Sequence, residues 1–403
     1  MSGAERPDIV IFSTADWLTR YWTNKQHTAV ALAARGHRVL YVETVGIRQP
    51  NLGSGRDWRR LATRLLAGVV DLFGGPRMVR PQLWVMSPLA LPWRRLAVVR
   101  GLNRALLRWP LLRFLQRAGF AYPEVWTYHP FLLDALHGFN HGSLSYHCVD
   151  DIATVPGVDA AGFATAEQRL LAVSDAVFVT ARALEQHCRR YSANVNFFPN
   201  VVDAEHFGTA FSAQPEPADL GPIGRPRLGY HGVLSDYKVD VDLLRALAAE
   251  QPDWQLVLIG DEREGQSGNV FAALRQLPNV HFLGGKDYRQ LPAYLGGFDV
   301  GLLPMRRNAY TASMYPMKYH EYLAAGVPVA STDLPFVSDA GGFLEVGDDA
   351  EGFAAAISRQ LARGRLSSAE AAAAVGENTW EQRLDKLLAI TSRVVPPEAE
   401  ERA

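Results

Sequence analysis

The stretch RLGYHGVLSDYKVDVDLLRALAAEQPDWQLVLIG, residues 227–260, contains a strand–helix–strand unit that decides the fold of this chain. Residues 227–230 and 255–259 are short apolar runs that predict buried strands, and residues 241–249 between them have the spacing of a helix. Gly232, just after the first run, predicts a tight turn. Apolar strands that alternate with helices are typical of a parallel, doubly wound sheet covered on both faces.

The same alternation runs through both halves of the chain. The predicted strands outside the opening unit are 8–12, 38–42, 82–85, 125–128, 144–146, 176–180, 280–282, 299–303 and 327–330. The predicted helices include 28–35, 164–173 and 317–325. Gly36 follows the first of these helices and is a favourable C-terminal cap. The pattern therefore predicts an α/β fold in each half.

A proline-rich connection separates the two halves. Residues 212–226 contain four prolines and two glycines, and proline stiffens an extended connection. We predict an N-terminal domain at 1–211, a linker at 212–226 and a second domain at 227–376. A closing helix and tail at 377–403 are expected to pack back toward the first domain. Two Rossmann-like doubly wound domains would face each other across a cleft, with ligands at the carboxyl ends of the strands.

The composition is that of an ordinary globular protein. Of the 403 residues, 48% are hydrophobic, which supports sizeable cores and excludes a disordered or collagen-like chain. Two cysteines, Cys148 and Cys188, exclude a disulfide scaffold and a cysteine-rich metal site, and they fit a reducing compartment. No apolar run reaches about 18 residues, and no secretion signal is recognised. We therefore expect a cytoplasmic protein without a membrane span.

The formal net charge of −1 hides an asymmetry along the chain. Residues 1–203 carry a net charge of +8, residues 204–403 carry −9, and segment 51–118 alone contains 13 arginines. In residues 94–117 the arginines alternate with apolar residues, as in a helix that lies on an anionic membrane surface. The alternative is a pair of helices with an apolar side in the core and solvated arginines. No nucleic-acid partner is expected, because no base-reading motif is present.

The segment YPMKYHEYLAAGVPVAST, residues 315–332, carries the clearest chemical signal. Pro316 suits the start of a helix, where free N–H groups and a partial positive charge can hold a phosphate. Lys318 lies in the first turn, and Glu321 shares its face three residues later. The pattern indicates an anion site with a carboxylate that can accept two sugar hydroxyls. A Lys–Glu pair on an ordinary surface helix is the alternative.

This segment resembles the nucleotide-binding signature of family 4 glycosyltransferases, two-domain enzymes of the GT-B architecture. Further segments resemble the family in the same order along residues 8–390. They are FPNVVD at 198–203, GYHG at 229–232, LIGD at 258–261, LPNVHFLG at 277–284, LPAY at 291–294 and FDVGLLP at 298–304. WTNKQH at 22–27 and LAARGHRVLYVE at 32–43 resemble a branch related to teichuronic acid biosynthesis enzymes.

The resemblance implies a reaction. Such enzymes move a hexose from a nucleoside diphosphate sugar to a glycan or lipid-linked glycan, usually with retention of configuration and without a metal or other cofactor. The resemblance places the diphosphate against the backbone at Gly232 and the cations Lys238 and Lys318. Glu321 would hold the ribose hydroxyls, and the base would stack near residues 285–287.

The sequence departs from the family at the sugar contact. The family often has Glu-x7-Glu in this region, and the first glutamate falls on Ser313 here. A serine cannot act as a carboxylate toward the donor sugar, so this position affects the identity of the donor. The family also has an arginine after the turn at Gly232, whereas Lys238 is the only cation in that loop here.

Three residues of the first half are candidates for catalysis. His147 follows a predicted strand and corresponds to a histidine that related enzymes carry near the transferred sugar; an imidazole there can hydrogen-bond the sugar or move a proton. Asp150 and Asp151 follow in the loop and are candidate acceptor-side bases. The alternatives are a histidine satisfied by the backbone and a helix cap at residue 152.

Two other functions remain compatible with the sequence. A sugar-nucleotide 2-epimerase uses the same architecture, but it needs carboxylates for elimination chemistry that the Lys318–Glu321 region does not match closely. A catalytically inactive binding or assembly protein of the same fold is compatible with Ser313. The expected partners are a nucleotide sugar, a glycan or lipid-linked acceptor, and an anionic membrane surface, which places the protein peripherally on the inner face of the plasma membrane.

Overall fold

The structure is a computed structural model that describes residues 6–19, 21–43, 66, 68–89, 97–136, 139–212, 214–262 and 269–393. The chain forms two compact units. The first consists of residues 1–180, 184–198 and 384–403, and the second of residues 181–183 and 199–383. The end of the predicted tail, residues 394–403, lies outside the described residues.

The first unit is built on one sheet with the strand order β3-β4-β2-β1-β5-β6-β7-β8. The strands are β1 (Ile9–Ser13), β2 (Val39–Glu43), β3 (Arg77–Arg80), β4 (Leu83–Met86), β5 (Glu124–Thr127), β6 (Leu144–Cys148), β7 (Ala176–Val179) and β8 (Val195–Phe197). Its described pairs are parallel except β3 with β4. The helices are α1 (Asn24–Ala34), α2 (Ala97–Ala118), α3 (Leu133–Leu136), α4 (Ala160–Val173) and α5 (Arg182–Cys188), and residues 68–74 are also helical.

The second unit has a parallel sheet with the strand order β11-β10-β9-β12-β13-β14. Its strands are β9 (Arg227–His231), β10 (Gln255–Ile259), β11 (Val280–Phe282), β12 (Val300–Leu303), β13 (Val329–Ser331) and β14 (Leu344–Val346). The helices that follow α5 are α6 (Ala204–Gly208), α7 (Val241–Glu250), α8 (Leu291–Gly296), α9 (Ala309–Ala312), α10 (Met317–Ala324), α11 (Ala350–Arg363), α12 (Ser368–Val375) and α13 (Trp380–Thr391).

Helix α10 is fixed to the middle of the second sheet. The Tyr322 hydroxyl donates to the carbonyl of Gly229 in β9 over 3.0 Å, and it accepts from the His231 N–H over 3.3 Å. Tyr319, Tyr322 and Leu323 are buried in the core of this unit. The first turn of α10 is therefore held beside the carboxyl end of β9.

The predicted fold class is confirmed, because each unit is an α/β Rossmann-like layer with a mainly parallel sheet. The strands that were not predicted, β3, β8 and β14, are all edge strands. An edge strand pairs on one side only, so it needs no long buried apolar run. β3 has the sequence RMVR and is largely exposed, and β8 and β14 have three residues each.

The boundaries of the two compact units differ from the domain boundaries predicted from the sequence. Residues 199–211, placed in the first domain by sequence, belong to the second unit, because Phe207 of α6 is buried in the second core. A boundary between the units falls inside helix α13, whose residues from Leu384 onward belong to the first unit. Its Leu384 and Leu387 are buried in the core of the first unit, and Asp385 pairs with Arg35 over 3.0 Å.

Candidate functional site

The carboxyl ends of β9 and β10 meet through two glycines. Gly232 has φ +120° and Gly260 has φ +157°, backbone angles that residues other than glycine rarely adopt. The N–H of Gly232 donates to the carbonyl of Ile259 over 2.8 Å. A Cβ on Gly260 would overlap the carbonyl oxygen of Gly232. The two turns are therefore packed backbone against backbone, with no side chain of their own at this edge.

Lys318 lies directly over the Gly232 turn. A Cβ built on Gly232 would stand 2.8 Å from Lys318 Nζ, and Nζ lies 5.5 Å from the ring centroid of Tyr230. Burial lowers the pKa of Lys318, and the nearby carboxylate of Glu321 opposes that shift. An ammonium group beside a helix N-terminus and a glycine turn is a site for an anion.

Glu321 is on the same face of α10, one turn further on. Its Oε2 lies 3.3 Å from Nε2 of His231, the last residue of β9, and the two residues are 8% and 4% exposed. Burial raises the pKa of Glu321 to about 7, and Lys318 works against that shift. Burial and the charge of Lys318 keep the pKa of His231 well below its usual value. The sequence placed His231 beside the turn but did not identify its contact with Glu321.

The other two predicted donor-side residues share a neighbour, Tyr310. The Lys238 ammonium lies 4.7 Å from the ring centroid of Tyr310 and 5.4 Å from that of Tyr237. Ser313 is buried at the end of α9, and its N–H donates to the Tyr310 carbonyl over 3.1 Å. The structure thus places Lys318 against Gly232, with Glu321 close enough to act on its charge. Lys238 contacts the Tyr310 ring, and Ser313 contacts the Tyr310 backbone carbonyl.

Two segments that carried the family resemblance also adjoin α10. The Asn200 side chain donates to the carbonyl of Tyr315, just before α10 begins. Tyr288, which follows the predicted base-binding residues 285–287, stacks on His206 with a centroid distance of 4.3 Å. Burial raises the pKa of Tyr288, and the charge of Glu321 adds to that shift. Tyr288 was not a predicted site residue, although it lies close enough to Glu321 to sense its charge.

In the first unit, His147 lies inside the sheet layer rather than at its end. The residue is 2% exposed, and Cys148 follows it in β6. Its ring centroid lies 5.0 Å from Trp126, 4.8 Å from Tyr128 and 5.0 Å from Phe178. Aromatic rings thus surround His147, and its role near the transferred sugar stays a prediction.

Asp150 and Asp151 lie in the loop after β6, where they were expected. The Asp151 carbonyl accepts hydrogen bonds from the N–H and the hydroxyl of Thr154. Burial raises the pKa of Asp151, and the charge of Glu167 adds to that shift. Asp150 acts electrostatically on Lys25. Both carboxylates remain predicted acceptor-side bases.

Lys25 was not a predicted site residue. It stands in the first turn of α1, is 8% exposed, and places Nζ 5.5 Å from the ring centroid of Tyr128. Burial lowers the pKa of Lys25 and the charge of Asp150 raises it. The available signal was its place in the 22–27 motif. A lysine is rarely this buried unless its charge is paired.

Helix α2 carries the described part of the Arg-rich segment. Leu111 and Leu115 are buried, whereas Val98 and Trp109 are 83% and 52% exposed. Arg113 lies over the Trp109 ring at 5.1 Å. Residues 94–96 lie outside the described residues. Within the part of the chain that the structure describes, no helix is long and apolar enough to span a membrane.

Metal ligands were not predicted in either half of the sequence. Among the residues with described positions, no three His, Cys, Asp or Glu side chains are grouped so that they could hold a metal ion. Metal independence stays a prediction.

Comparisons with known proteins bear on the fold and on the second unit. Residues 225–363 match a family model described as glycosyl transferases group 1, whereas no curated protein matches the chain. Sucrose-phosphate synthase from Thermosynechococcus elongatus superposes with a TM-score of 0.64 at 19% identity, covering 96% of this chain and 97% of that one. Anabaena HepE in complex with UDP-glucose gives 0.62 at 16% identity, covering 95% and 100%.

A third structure, a trehalose-6-phosphate protein from E. coli bound with UDP-2-fluoro glucose, gives a TM-score of 0.63 at 15% identity and covers 97% of this chain and 100% of that one. At these identities the likeness establishes the fold. The chain therefore has the GT-B fold of two Rossmann-like domains, and its residues 225–363 are similar to glycosyl transferases group 1.

Proposed function

We propose that this chain is a glycosyltransferase that moves a hexose from a nucleoside diphosphate sugar to a glycan or lipid-linked glycan. The observation that carries the proposal is the contact of Lys318 with the Gly232 turn, with Glu321 on the same helix face. This arrangement lies inside the domain that matches the glycosyl transferases group 1 model.

The chemistry of the leaving group explains these residue types. Transfer of the sugar breaks its bond to the β-phosphate, and negative charge develops on the departing diphosphate. The Lys318 ammonium and the N-terminus of α10 are suited to stabilise that charge, and Gly232 leaves room for the diphosphate beside the backbone. The Glu321 carboxylate is suited to accept hydrogen bonds from the ribose hydroxyls. Retention of configuration and metal independence belong to this proposal, as does the relation to the teichuronic acid branch.

The acceptor side of the proposal rests on the first unit. Asp150 and Asp151 follow β6 at the carboxyl edge of the first sheet, where ligands of Rossmann-like folds bind. A carboxylate whose pKa is raised by burial, as for Asp151, is suited to accept the proton of an acceptor hydroxyl. His147 supports this edge from within, because its ring packs between aromatic residues of β5 and β7.

One assay separates the proposed function from its alternatives. Purified protein is incubated with UDP-, GDP-, ADP- and CDP-sugars, with and without a mixture of soluble and lipid-linked glycans, and nucleotide release is measured. The neighbours bound with UDP-glucose and UDP-2-fluoro glucose make the UDP-sugars the first choice. Release that requires acceptor supports the transferase. Release with an epimerised sugar indicates the 2-epimerase, and binding without turnover indicates an inactive binding or assembly protein.

A second property is favoured by the exposure of α2. We propose that this helix holds the protein against an anionic membrane surface, peripherally on the cytoplasmic side. Val98 and Trp109 are exposed on the same helix that carries the exposed arginines Arg104 and Arg117. Apolar side chains with arginines around them are suited to an acidic lipid surface. Binding of this kind would bring the enzyme to a lipid-linked acceptor.

A further inference from the structure

His231 and Glu321 form a buried pair between the sheet and helix α10 of the second unit. Nε2 of His231 lies 3.3 Å from Oε2 of Glu321, and both residues are almost fully buried. His231 ends β9 and Glu321 lies in the second turn of α10, so the pair joins two separate elements. The family resemblance assigns a role to Glu321 and none to His231.

The His231 ring is held in place by the residue next to Glu321. It packs edge-on against the Tyr322 ring with a centroid distance of 5.0 Å. Its backbone N–H donates to the Tyr322 hydroxyl over 3.3 Å, and that hydroxyl donates to the Gly229 carbonyl over 3.0 Å. The His231 ring, at the end of β9, is therefore held against the helix that carries Glu321.

The protonation states make His231 a donor. Burial and Lys318 lower the pKa of His231, so the ring is neutral at neutral pH and carries one N–H. Among the described residues His231 Nε2 is buried without a hydrogen-bond partner, and Oε2 of Glu321, 3.3 Å away, is the acceptor that a proton on Nε2 would face. The Lys318 ammonium lies over Gly232. A proton on His231 Nε2 would orient the Glu321 carboxylate through Oε2 and leave Oε1 for a ligand.

We propose that His231 is a positioning residue for nucleotide binding, whose Nε2–H fixes the Glu321 carboxylate for the 2′- and 3′-hydroxyls of the donor ribose. This inference rests on the proposed function, because it deepens the role of the same site. A carboxylate that is free to rotate must lose that freedom when the ribose binds, whereas a fixed carboxylate has already lost it. His231 does not touch the nucleotide in this arrangement; it acts through Glu321.

Three variants separate positioning from packing. His231→Phe keeps a ring against Tyr322 and removes the N–H, whereas His231→Gln keeps an N–H donor of similar reach. His320→Phe is the matched control, because His320 is a buried histidine of α10, the helix of Glu321. Its ring stacks on Tyr315 with a centroid distance of 5.7 Å. Calorimetry measures affinity for UDP, GDP, ADP and CDP. The best of these is then compared with its 2′-deoxy counterpart.

The expected result is a loss of affinity that depends on the 2′-hydroxyl of the ribose. His231→Phe weakens binding of the ribonucleotide about tenfold, the value of one hydrogen bond to a charged group, and changes binding of the 2′-deoxynucleotide much less. His231→Gln restores most of the preference for ribose, and His320→Phe leaves it as in the wild type. If His231→Phe does not fold, His231→Asn replaces it, because its shorter side chain does not reach Glu321.

The outcomes that overturn the inference differ from those that overturn the proposed function. A wild-type protein that binds none of the four nucleotides, or shows no ribose preference, contradicts the proposed donor site itself. A wild type with ribose preference that His231→Phe or His231→Asn leaves unchanged contradicts only the inference. Equal losses for the ribonucleotide and the 2′-deoxynucleotide also contradict it, because they indicate a general packing defect.

Discussion

The side chain of Lys318 occupies the space that a Cβ on Gly232 would need, with Nζ 2.8 Å from that position. The glycine and the lysine are 86 positions apart in the sequence numbering, yet they meet in the structure. The glycine gives the turn its φ of +120° and leaves room for the ammonium group. This contact joins the end of β9 to the start of α10 and forms the centre of the proposed diphosphate site.

Gly232→Ala is expected to damage both stability and nucleotide binding. A non-glycine residue at this φ costs about 1–3 kcal/mol, and the new Cβ displaces Lys318. Thermal unfolding and calorimetry with UDP measure the two effects. Gly208→Ala is the control, because Gly208 has φ −60° and its Cβ would meet nothing within 4 Å. An alanine at 232 that binds UDP as well as the wild type would show that Lys318 does not need this position.

Lys318→Met is expected to weaken binding of a diphosphate far more than binding of a nucleoside. The substitution keeps the length of the side chain and removes the charge that faces the Gly232 turn. The ratio of affinities for UDP and uridine is therefore the informative quantity, measured at low and high salt. Lys386→Met in α13 is the control, since that lysine belongs to the first unit. A proportional loss of affinity for uridine and UDP would argue against a phosphate contact.

The raised pKa of Glu321 gives a stability prediction with a definite sign. The native carboxyl has a pKa of about 7 and the unfolded one has 4.5, so the native state holds the proton between these values. The free energy of unfolding that Glu321 contributes is fully present below pH 4.5 and is lost as pH rises through 7. Glu321→Gln stays neutral, so its stability relative to the wild type should rise between pH 5 and 8, by up to about 3 kcal/mol.

Thermal unfolding of both proteins at pH 5, 6, 7 and 8 measures this difference. Glu345→Gln is the control, because Glu345 is more exposed and pairs with Arg359 over 2.6 Å. A difference in unfolding temperature between Glu321→Gln and the wild type that stays constant with pH would mean that the Glu321 carboxylate is not destabilised by burial.

In nucleotide binding, Glu321→Gln should lose affinity, because an amide cannot accept two hydroxyl donors in the way a carboxylate does.

Lys25 and Asp150 are expected to be coupled in stability. Asp150→Asn leaves the buried ammonium of Lys25 without the charge that offsets its burial. Lys25→Met removes that ammonium. In the Lys25→Met background, Asp150→Asn should therefore lower the free energy of unfolding by less than it does in the wild type. A double-mutant cycle by denaturant unfolding should give a coupling free energy of about 0.5–3 kcal/mol. Additive effects of the two substitutions would show that the charges do not interact across this part of the first unit.

The membrane proposal predicts binding that depends on both lipid charge and the exposed side of α2. Arg104→Gln, Arg117→Gln and Trp109→Ala together should abolish flotation with vesicles that contain acidic lipid, and high salt should weaken flotation of the wild type. Neutralising Arg190, Arg245 and Arg393, exposed elsewhere, is the matched control. Wild-type protein that stays in the soluble fraction with acidic vesicles, or a triple variant that floats normally, would contradict this role for α2.

The sequence predicted the interior of the fold better than its margins. β10 and β11 have the predicted bounds, 255–259 and 280–282, because apolar runs between turn residues mark buried strands. The edge strands β3, β8 and β14 lack that signal. The 199–211 segment was assigned to the first domain because prolines mark the next connection, whereas the burial of Phe207 depends on three-dimensional packing.

The candidate site shows the same division between local and long-range information. Lys318 and Glu321 were predicted to share a face because three residues separate them on one helix. The contact of His231 with Glu321 joins β9 to α10, and no local pattern encodes it. His147 was placed in the right strand, but its packing between Trp126 and Phe178 depends on the neighbouring strands β5 and β7.

The most direct test of the proposed donor site is a crystal structure of the protein with the nucleoside diphosphate that binds best. The diphosphate is expected over the Gly232 turn, within hydrogen-bond distance of Lys318 Nζ, with the ribose hydroxyls on the Glu321 carboxylate. A nucleotide bound elsewhere, or one at this edge of the sheet whose ribose does not contact Glu321, would contradict the proposed donor site.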